Sequence, residues 1–318
     1  MSRGWHAHAV VIEGPERLSV DRLALQSPAE DDVVVDIEWS GISSGTERLL
    51  WSGRMPTFPG MGYPLVPGYE SIGRISAVGR AGDPRRVGER VFVPGARCFG
   101  DVRGLFGGAA SRLVVPGSRV TGVDEELGEN AILLALAATA YHALAAPNAR
   151  APELIVGHGV LGRLLARLCF AVFGSRPTVW ERNSARMQGG QPYPVCAPES
   201  DPRRNYGSIY DVSGDAAILD QLVGRIAHGG EVVLAGFYVQ PLSFNFTQAF
   251  MREARIRVAA EWKDTDMAAV IELCATGRLS LDDLITHRQA PDQAATAYQQ
   301  AFGDPECLKM VIDWRSAA

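Results

Sequence analysis

The sequence predicts an α/β protein in which an open, doubly wound parallel sheet is joined to a separate, mostly antiparallel β domain. Three observations lead there. Short apolar runs between Gly/Pro turns fill the chain up to about residue 125, strand–helix alternation replaces them from Pro152, and a glycine loop stands at the first strand-to-helix junction of that second part. At 318 residues the chain suits two domains better than one core.

In the first part, "DDVVVDIEWS", "SIGRISAVG", "ERVFVP" and "SRLVVP" read as strands of an irregular β domain. The uncharged run "AILLALAATAYHALAA" (131–146) is shorter than the ~20 residues that span a bilayer, and it holds Thr139 and His142, so it predicts a buried helix. "ELIV" is then a strand, "GHGVLG" a turn and "RLLARLCFAVFG" a helix. Val160, Leu161, Leu164, Leu165, Leu168 and Val172 share one helical stripe, which Gly174 is placed to cap. "PTVW" is a second strand, running into Glu181. "SIYDVSG" and "EVVLAGFY" follow as strands, joined by a helical "DAAILDQLVGRIAHGG". After about residue 277 come "LITHR", a helical "DQAATAYQQAF" and a last strand "CLKMVIDW".

Composition narrows the class. Apolar residues make up 47% and charged residues 21%, as in ordinary globular proteins, and a net charge of -5 gives no footprint for nucleic acid. The five cysteines lie far apart without a CxxC pair, which points to a reducing compartment and away from a disulfide framework or a cysteine zinc knuckle. The N-terminus has no apolar core of signal-peptide length, so a cytoplasmic protein without a transmembrane segment is expected.

Gly157, Gly159 and Gly162 form GxGxxG between a strand and a helix. The first glycine allows the tight turn, the second lets the backbone approach a pyrophosphate, and the third lets helix and strand pack closely. Glu181 ends the next strand, where a carboxylate accepts hydrogen bonds from ribose hydroxyls and repels a 2′-phosphate; the expected cofactor is NAD. Arg182 beside it is a residue type that accommodates that phosphate. Val160 and Leu161 at the helix start, and Ser213 and Gly236 in the later strand segments, join the expected cofactor set, while His158 within the loop reads as a solvent-facing filler.

With that loop behind a Gly/Pro-rich β domain, the chain resembles the medium-chain dehydrogenase/reductase family over nearly its whole length. "SGISSGTE", "GRMPTFPGMGYPLVPGYESIGRI", "VGERVFVP", "LFGGAASRLVVP", "LALAATAYHAL", "IVGHGVLG" and "LITHR" carry the resemblance. It implies a GroES-like catalytic domain made of residues 1–147 and 278–318, and a Rossmann-type domain at 148–277. Dimers are common in the family, so a homodimer is compatible with it. Thr139 matches a cofactor-contacting threonine of the family.

Zinc-dependent members supply a Cys, a His and a third Cys or acidic ligand. The matching positions here are Ser44, Tyr69 and the region of Ala135, and a hydroxyl, a phenol and a methyl do not make a zinc site. No catalytic metal is expected, and the cysteine-rich structural-zinc lobe is absent. Thr46 matches the position whose hydroxyl passes a proton toward the cofactor ribose. Tyr69 would hold the substrate oxygen, with Ser44 completing the hydroxyl network and Glu70 orienting its neighbours.

A narrower resemblance rests on "GISSGTERLLWSGRMPTFPGMGYPLVPGYE", "VFVPGARCFGDVRGLFGGAASRLVVP", "AFMREARIRVAAEW" and "CLKMVIDW". It is to the branch that oxidises a 1-hydroxyethyl group on a magnesium chlorin or bacteriochlorin. It implies a large apolar pocket, for which Trp51, Met55, Phe58, Met61, Tyr63 and His142 are candidates. Arg48, Arg54, Arg97 and Arg103 are candidates for the substrate's propionate, since guanidinium pairs well with carboxylate. Two other readings stand beside this one: a zinc-free quinone or enone reductase of the same family, and a non-catalytic relative that binds nucleotide or pigment.

Overall fold

The structure, a computed structural model, describes residues 4–316. It divides into two compact units, Met1–Ala135 with Asp282–Ala318, and Leu136–Leu281. Both boundaries differ from those expected, and the apolar run 131–146 straddles the first of them.

The first unit opens with β1 (His6–Gly14), β2 (Arg17–Ala24) and the long β3 (Asp32–Ile42), followed by the short helix α1 (Thr46–Trp51). Then come β4 (Leu65–Val66), β5 (Ser71–Val78), β6 (Arg90–Val93), β7 (Arg103–Gly104), β8 (Arg112–Pro116) and β9 (Thr121–Gly122). A 3-10 stretch, Glu125–Leu133, leads into α2 (Leu134–Leu144). Together they form a helical stretch, Glu125–Leu144, of 20 residues with mean hydropathy 1.2, which reaches membrane-spanning length by composition. It is interrupted at Gly128, and Ala131, Ile132, Leu133 and Leu134 are fully buried, as core residues are.

In the second unit β10 (Leu154–Val156), α3 (Val160–Phe173), β11 (Thr178–Trp180), α4 (Ser184–Met187) and β12 (Val195–Cys196) build one wing of a sheet. The other wing is β13 (Tyr206–Asp211), α5 (Leu219–Val223), β14 (Ile226–Leu234), α6 (Phe246–Met251) and β15 (Arg255–Val258), with α7 (Asp264–Ala275) following. All five pairings are parallel, in the order β12-β11-β10-β13-β14-β15. The chain reverses its direction of travel between β10 and β13, the kind of switch at which open parallel sheets generally bind ligands.

The return to the first unit supplies β16 (His287–Gln289), α8 (Ala294–Gly303) and β17 (Met310–Asp313). β17 pairs antiparallel with β3, setting Met310 opposite Ile42. The resulting sheet runs β16-β17-β3-β5-β6-β9, with β8 also on β3, and a second sheet runs β2-β1-β4-β7.

Two expectations change. The helix read over "DAAILDQLVGRIAHGG" shrinks to Leu219–Val223, because Ile226 is needed as a fully buried strand residue paired with Tyr206. On α3, Leu164, Leu165 and Leu168 are fully buried as the stripe requires, but Val172 near the C-terminus is exposed.

Candidate active site

Tyr69 follows Gly68, whose φ of +95 and close approach to the Ala109 backbone nitrogen admit only glycine comfortably. That turn delivers the half-buried phenol to the point where β3 gives way to α1. Its hydroxyl lies 2.8 Å from Ser43 Oγ, where either group can donate, and the Thr46 hydroxyl is a second partner. Ser43 Oγ also accepts from the Thr46 backbone N–H at 3.3 Å, so three hydroxyls are tied together. The serine of this set is Ser43, only 6% exposed, and not Ser44, which is exposed. The end of β3 and the start of α1 decide which neighbour turns inward. Burial and the nearby Glu70 hold the Tyr69 phenol well above its ordinary pKa, so it stays protonated at neutral pH.

Two buried carboxyls support this set from behind. Glu70 is fully buried and forms an ion pair with Lys309, itself 2% exposed, while Glu70 Oε1 has no hydrogen bond. A Cβ on Gly41 would strike both partners, so this glycine makes their room. Glu47, fully buried on α1, accepts the Ser43 backbone N–H at 3.1 Å and the Tyr298 hydroxyl at 2.5 Å. Neither Lys309 nor Tyr298 was a sequence candidate. A lysine inside the apolar strand run "CLKMVIDW" is the one local signal that something buried awaits it.

Burial pushes the Glu47 carboxyl from 4.5 up to about 7, with Glu70 adding to the rise and the bonds from Tyr298 and Ser43 and the charge of Lys309 opposing it. Between those values the folded state binds more protons than the unfolded chain, so stability falls as pH rises through that window, by up to ~3 kcal/mol. Glu47→Gln, which mimics the protonated acid, should therefore gain stability relative to the parent between pH 5 and pH 8 in denaturant titrations. Parallel profiles for the two proteins would refute this.

Family likeness implies zinc at this place, and the donors present do not fit it. Ser44 is an exposed hydroxyl, Tyr69 is held protonated, and Ala135 carries only a methyl. Among the described residues, no group of three or more His, Cys, Asp or Glu could hold a metal ion.

The second unit carries the dinucleotide geometry. Gly157 turns at φ +102, and a Cβ on Gly162 would collide with the Gly157 carbonyl. No side chain caps α3, whose N-terminal Val160 is buried and Leu161 half-buried, leaving the helix end to present its N–H groups. Ser213 and Gly214 lie against Gly157 and Gly236, so the ends of β10, β13 and β14 meet. The Glu181 carboxylate accepts three backbone N–H groups: His158 at 3.0 Å, Arg182 at 2.7 Å and Asn183 at 2.8 Å. Arg182 is exposed and faces Asp215 at 3.7 Å. These residues fit a dinucleotide. His158 is no filler: it is fully buried, because both ring nitrogens find protein partners.

The proposed pocket loop packs largely on its own unit. Met55 is buried, the Trp51 ring meets Phe302 at a tilt with centroids 5.5 Å apart, and the Tyr63 hydroxyl donates to the Leu50 carbonyl at 2.5 Å. Phe58 and Met61 are half-buried against the same core. Thr139 is half-buried on α2, and His142 Nδ1 lies 2.8 Å from Asp266 Oδ2. Arg48, Arg54, Arg97 and Arg103 are all exposed, and among the described residues none forms an ion pair.

Residues 29–125 match the alcohol dehydrogenase GroES-like domain family. Over 310 residues the chain is 56% identical to a 2-desacetyl-2-hydroxyethyl bacteriochlorophyllide A dehydrogenase of Rhodobacter capsulatus, covering 97% of this chain and 98% of that one. It is 54% identical to the protein of that name in Cereibacter sphaeroides, covering 98% and 99%. In fold it is similar to an alcohol dehydrogenase of Escherichia coli CFT073 solved with NADH, at a TM-score of 0.83 and 22% identity over 98% and 100% of the two chains. The chain belongs to the medium-chain dehydrogenase/reductase family, in the branch of the bacteriochlorophyllide dehydrogenases.

Proposed function

We propose that this dehydrogenase oxidises the 1-hydroxyethyl side chain of a magnesium chlorin or bacteriochlorin to an acetyl group, with NAD as acceptor and without catalytic zinc. The observation that carries it is the hydroxyl set Tyr69–Ser43–Thr46, with Tyr69 at a position where the family likeness implies a metal ligand, in a chain similar end to end to dehydrogenases named for such a substrate. Gly157, Gly159, Gly162 and Glu181 would hold NAD, which when bound would supply the hydride acceptor for oxidation of the carbinol to a carbonyl. Tyr69 and Thr46 hold the carbinol oxygen, and its proton leaves along the hydroxyl set, each oxygen accepting one proton as it passes its own on, to water at the half-exposed Thr46. The reacting carbon is attached to a conjugated macrocycle, which spreads the positive charge that develops, so less alkoxide stabilisation is required than for a simple alkanol. The exposed parts of Trp51, Phe58 and Met61 supply a ring-face contact, and the unpaired arginines a carboxylate partner. For NAD over NADP, the support is Glu181 fixed by three amides and Arg182 drawn toward Asp215.

The test is optical. Chelator-treated protein with NAD and a 3-(1-hydroxyethyl) chlorophyllide should shift the long-wavelength pigment band to the red as NADH forms, and NADP should serve poorly. No shift with NAD demonstrably bound would overturn the reaction and favour the enone-reductase alternative. Turnover that returns only with zinc would overturn the metal-free site.

A further inference from the structure

The middle residue of the glycine loop is an unusual choice. Only a backbone is needed between Gly157 and Gly159, yet the chain places an imidazole there and buries it completely. His158 Nδ1 lies 2.7 Å from the Arg186 carbonyl, which can only accept, so Nδ1 carries the proton. Nε2 is then the lone-pair nitrogen, and it accepts from the Tyr193 hydroxyl at 3.0 Å. The two rings also meet edge to face, with centroids 5.7 Å apart. The backbone N–H of His158 donates to Glu181, and Arg163 joins the carbonyls of His158 (3.3 Å) and Arg186 (3.1 Å).

One residue thereby ties together the glycine loop, the end of β11, the helix α4 and Tyr193. The segment being tied has little structure of its own. After the four residues of α4 it passes through Gly189 and Gly190, both at positive φ, before β12 begins at Val195. Short helices and glycine turns order poorly without tertiary contacts. Burial and the neighbouring Arg163 hold the His158 pKa down at about 4, so the ring stays neutral and the tautomer persists through neutral pH.

We propose that His158 is a positioning residue that clamps residues 184–193 to the glycine loop, presetting Glu181 and the loop amides as one surface for the adenosine-diphosphate half of a dinucleotide. This rests on the dinucleotide reading of the unit and not on the identity of the substrate. The clamp acts on affinity: ordering the segment in advance lowers the cost of binding.

The experiment titrates ADP-ribose, which lacks the reacting nicotinamide, into the parent, His158→Ala and Tyr193→Phe by calorimetry, alongside steady-state kinetics and limited trypsin digestion. His158→Ala should weaken ADP-ribose about tenfold, as loss of buried hydrogen bonds does. KM for NAD should rise by a similar factor with kcat within about twofold, and cleavage after Arg186 should accelerate. Tyr193→Phe, which keeps the ring, should move all readouts the same way by less, and it decides the matter if His158→Ala fails to fold. Unchanged ADP-ribose affinity in a folded variant, or a fall in kcat alone, would overturn the clamp. A parent protein that binds no ADP-ribose would remove the dinucleotide reading itself, and the clamp with it.

Discussion

Tyr69→Phe should lower kcat by roughly 10²-fold or more while leaving NAD affinity unchanged, the size expected when a positioned proton-handling group is deleted. The substitution removes one oxygen. The remaining ring keeps its edge-to-face contact with Phe106 at 5.6 Å, so the fold around it has no reason to move. What is lost is the hydroxyl that meets both Ser43 and Thr46. Because its pKa is held high by burial and by Glu70, the parent enzyme's rate should show no limb from Tyr69 ionisation anywhere near neutrality. Ser43→Ala should lower kcat by a smaller factor in the same direction, whereas Ser44→Ala, at an exposed position, should leave it unchanged. Single-turnover rates read these effects without product release. A phenylalanine variant within twofold of the parent would remove Tyr69 from the chemistry and reduce it to a space-filling side chain.

Lys309→Met should destabilise the protein by about 3–5 kcal/mol at pH 7, the cost typical of breaking a buried ion pair by removing one partner. Glu70 then has no counter-charge, and its Oε1 already lacks a hydrogen bond. Burial raises its pKa even with Lys309 present, so without the lysine it takes up a proton. Protonating a carboxyl of ordinary pKa 4.5 at pH 7 costs ~3 kcal/mol, in line with the lower end of that range. The sign follows: the deficit should shrink as pH falls toward 5, where protonation costs less. Glu70→Gln combined with Lys309→Met should recover much of the loss, because no buried charge is left unpaired. Urea unfolding at pH 5 and pH 7 separates the cases. A single variant as stable as the parent at pH 7 would mean that the pair is solvated and not buried.

Several features were legible without coordinates, and each is written locally in the chain. The strands β3, β5, β6, β8, β10 and β13 announce themselves as β-branched runs bounded by Gly and Pro, and α3 by its apolar stripe. Gly157 and Gly162 are required by a turn at positive φ and by contact with a carbonyl, and such demands admit few other residues. Glu181 was readable because a strand end fixes its place relative to the loop.

The misses share one cause. Which of two adjacent serines faces inward depends on how β3 ends and α1 begins, so family spacing pointed to Ser44 while the serine bonded to Tyr69 is Ser43. His158 looked like a loop filler because its partners, Arg186 and Tyr193, come from segments with no regular pattern. Likewise "GRIAHGG" has residues compatible with a helix, and only pairing with Tyr206 makes a strand of Ile226.

The sequence by itself determined the α/β class, the glycine turn with Glu181 at the end of the next strand, and the residue types of the turn around Tyr69. All of these depend on residue type, period and spacing within a short stretch. Only the tertiary structure decided which hydroxyls touch, that Lys309 neutralises Glu70, that Tyr298 caps Glu47 and that His158 is buried. The antiparallel pairing of β17 with β3 brings the chain's end to the Tyr69 turn, and a contact between distant segments leaves no period in either of them. Burial then sets the charge states, because the energy of an ionised group depends on what surrounds it in space and not on what precedes it in the chain.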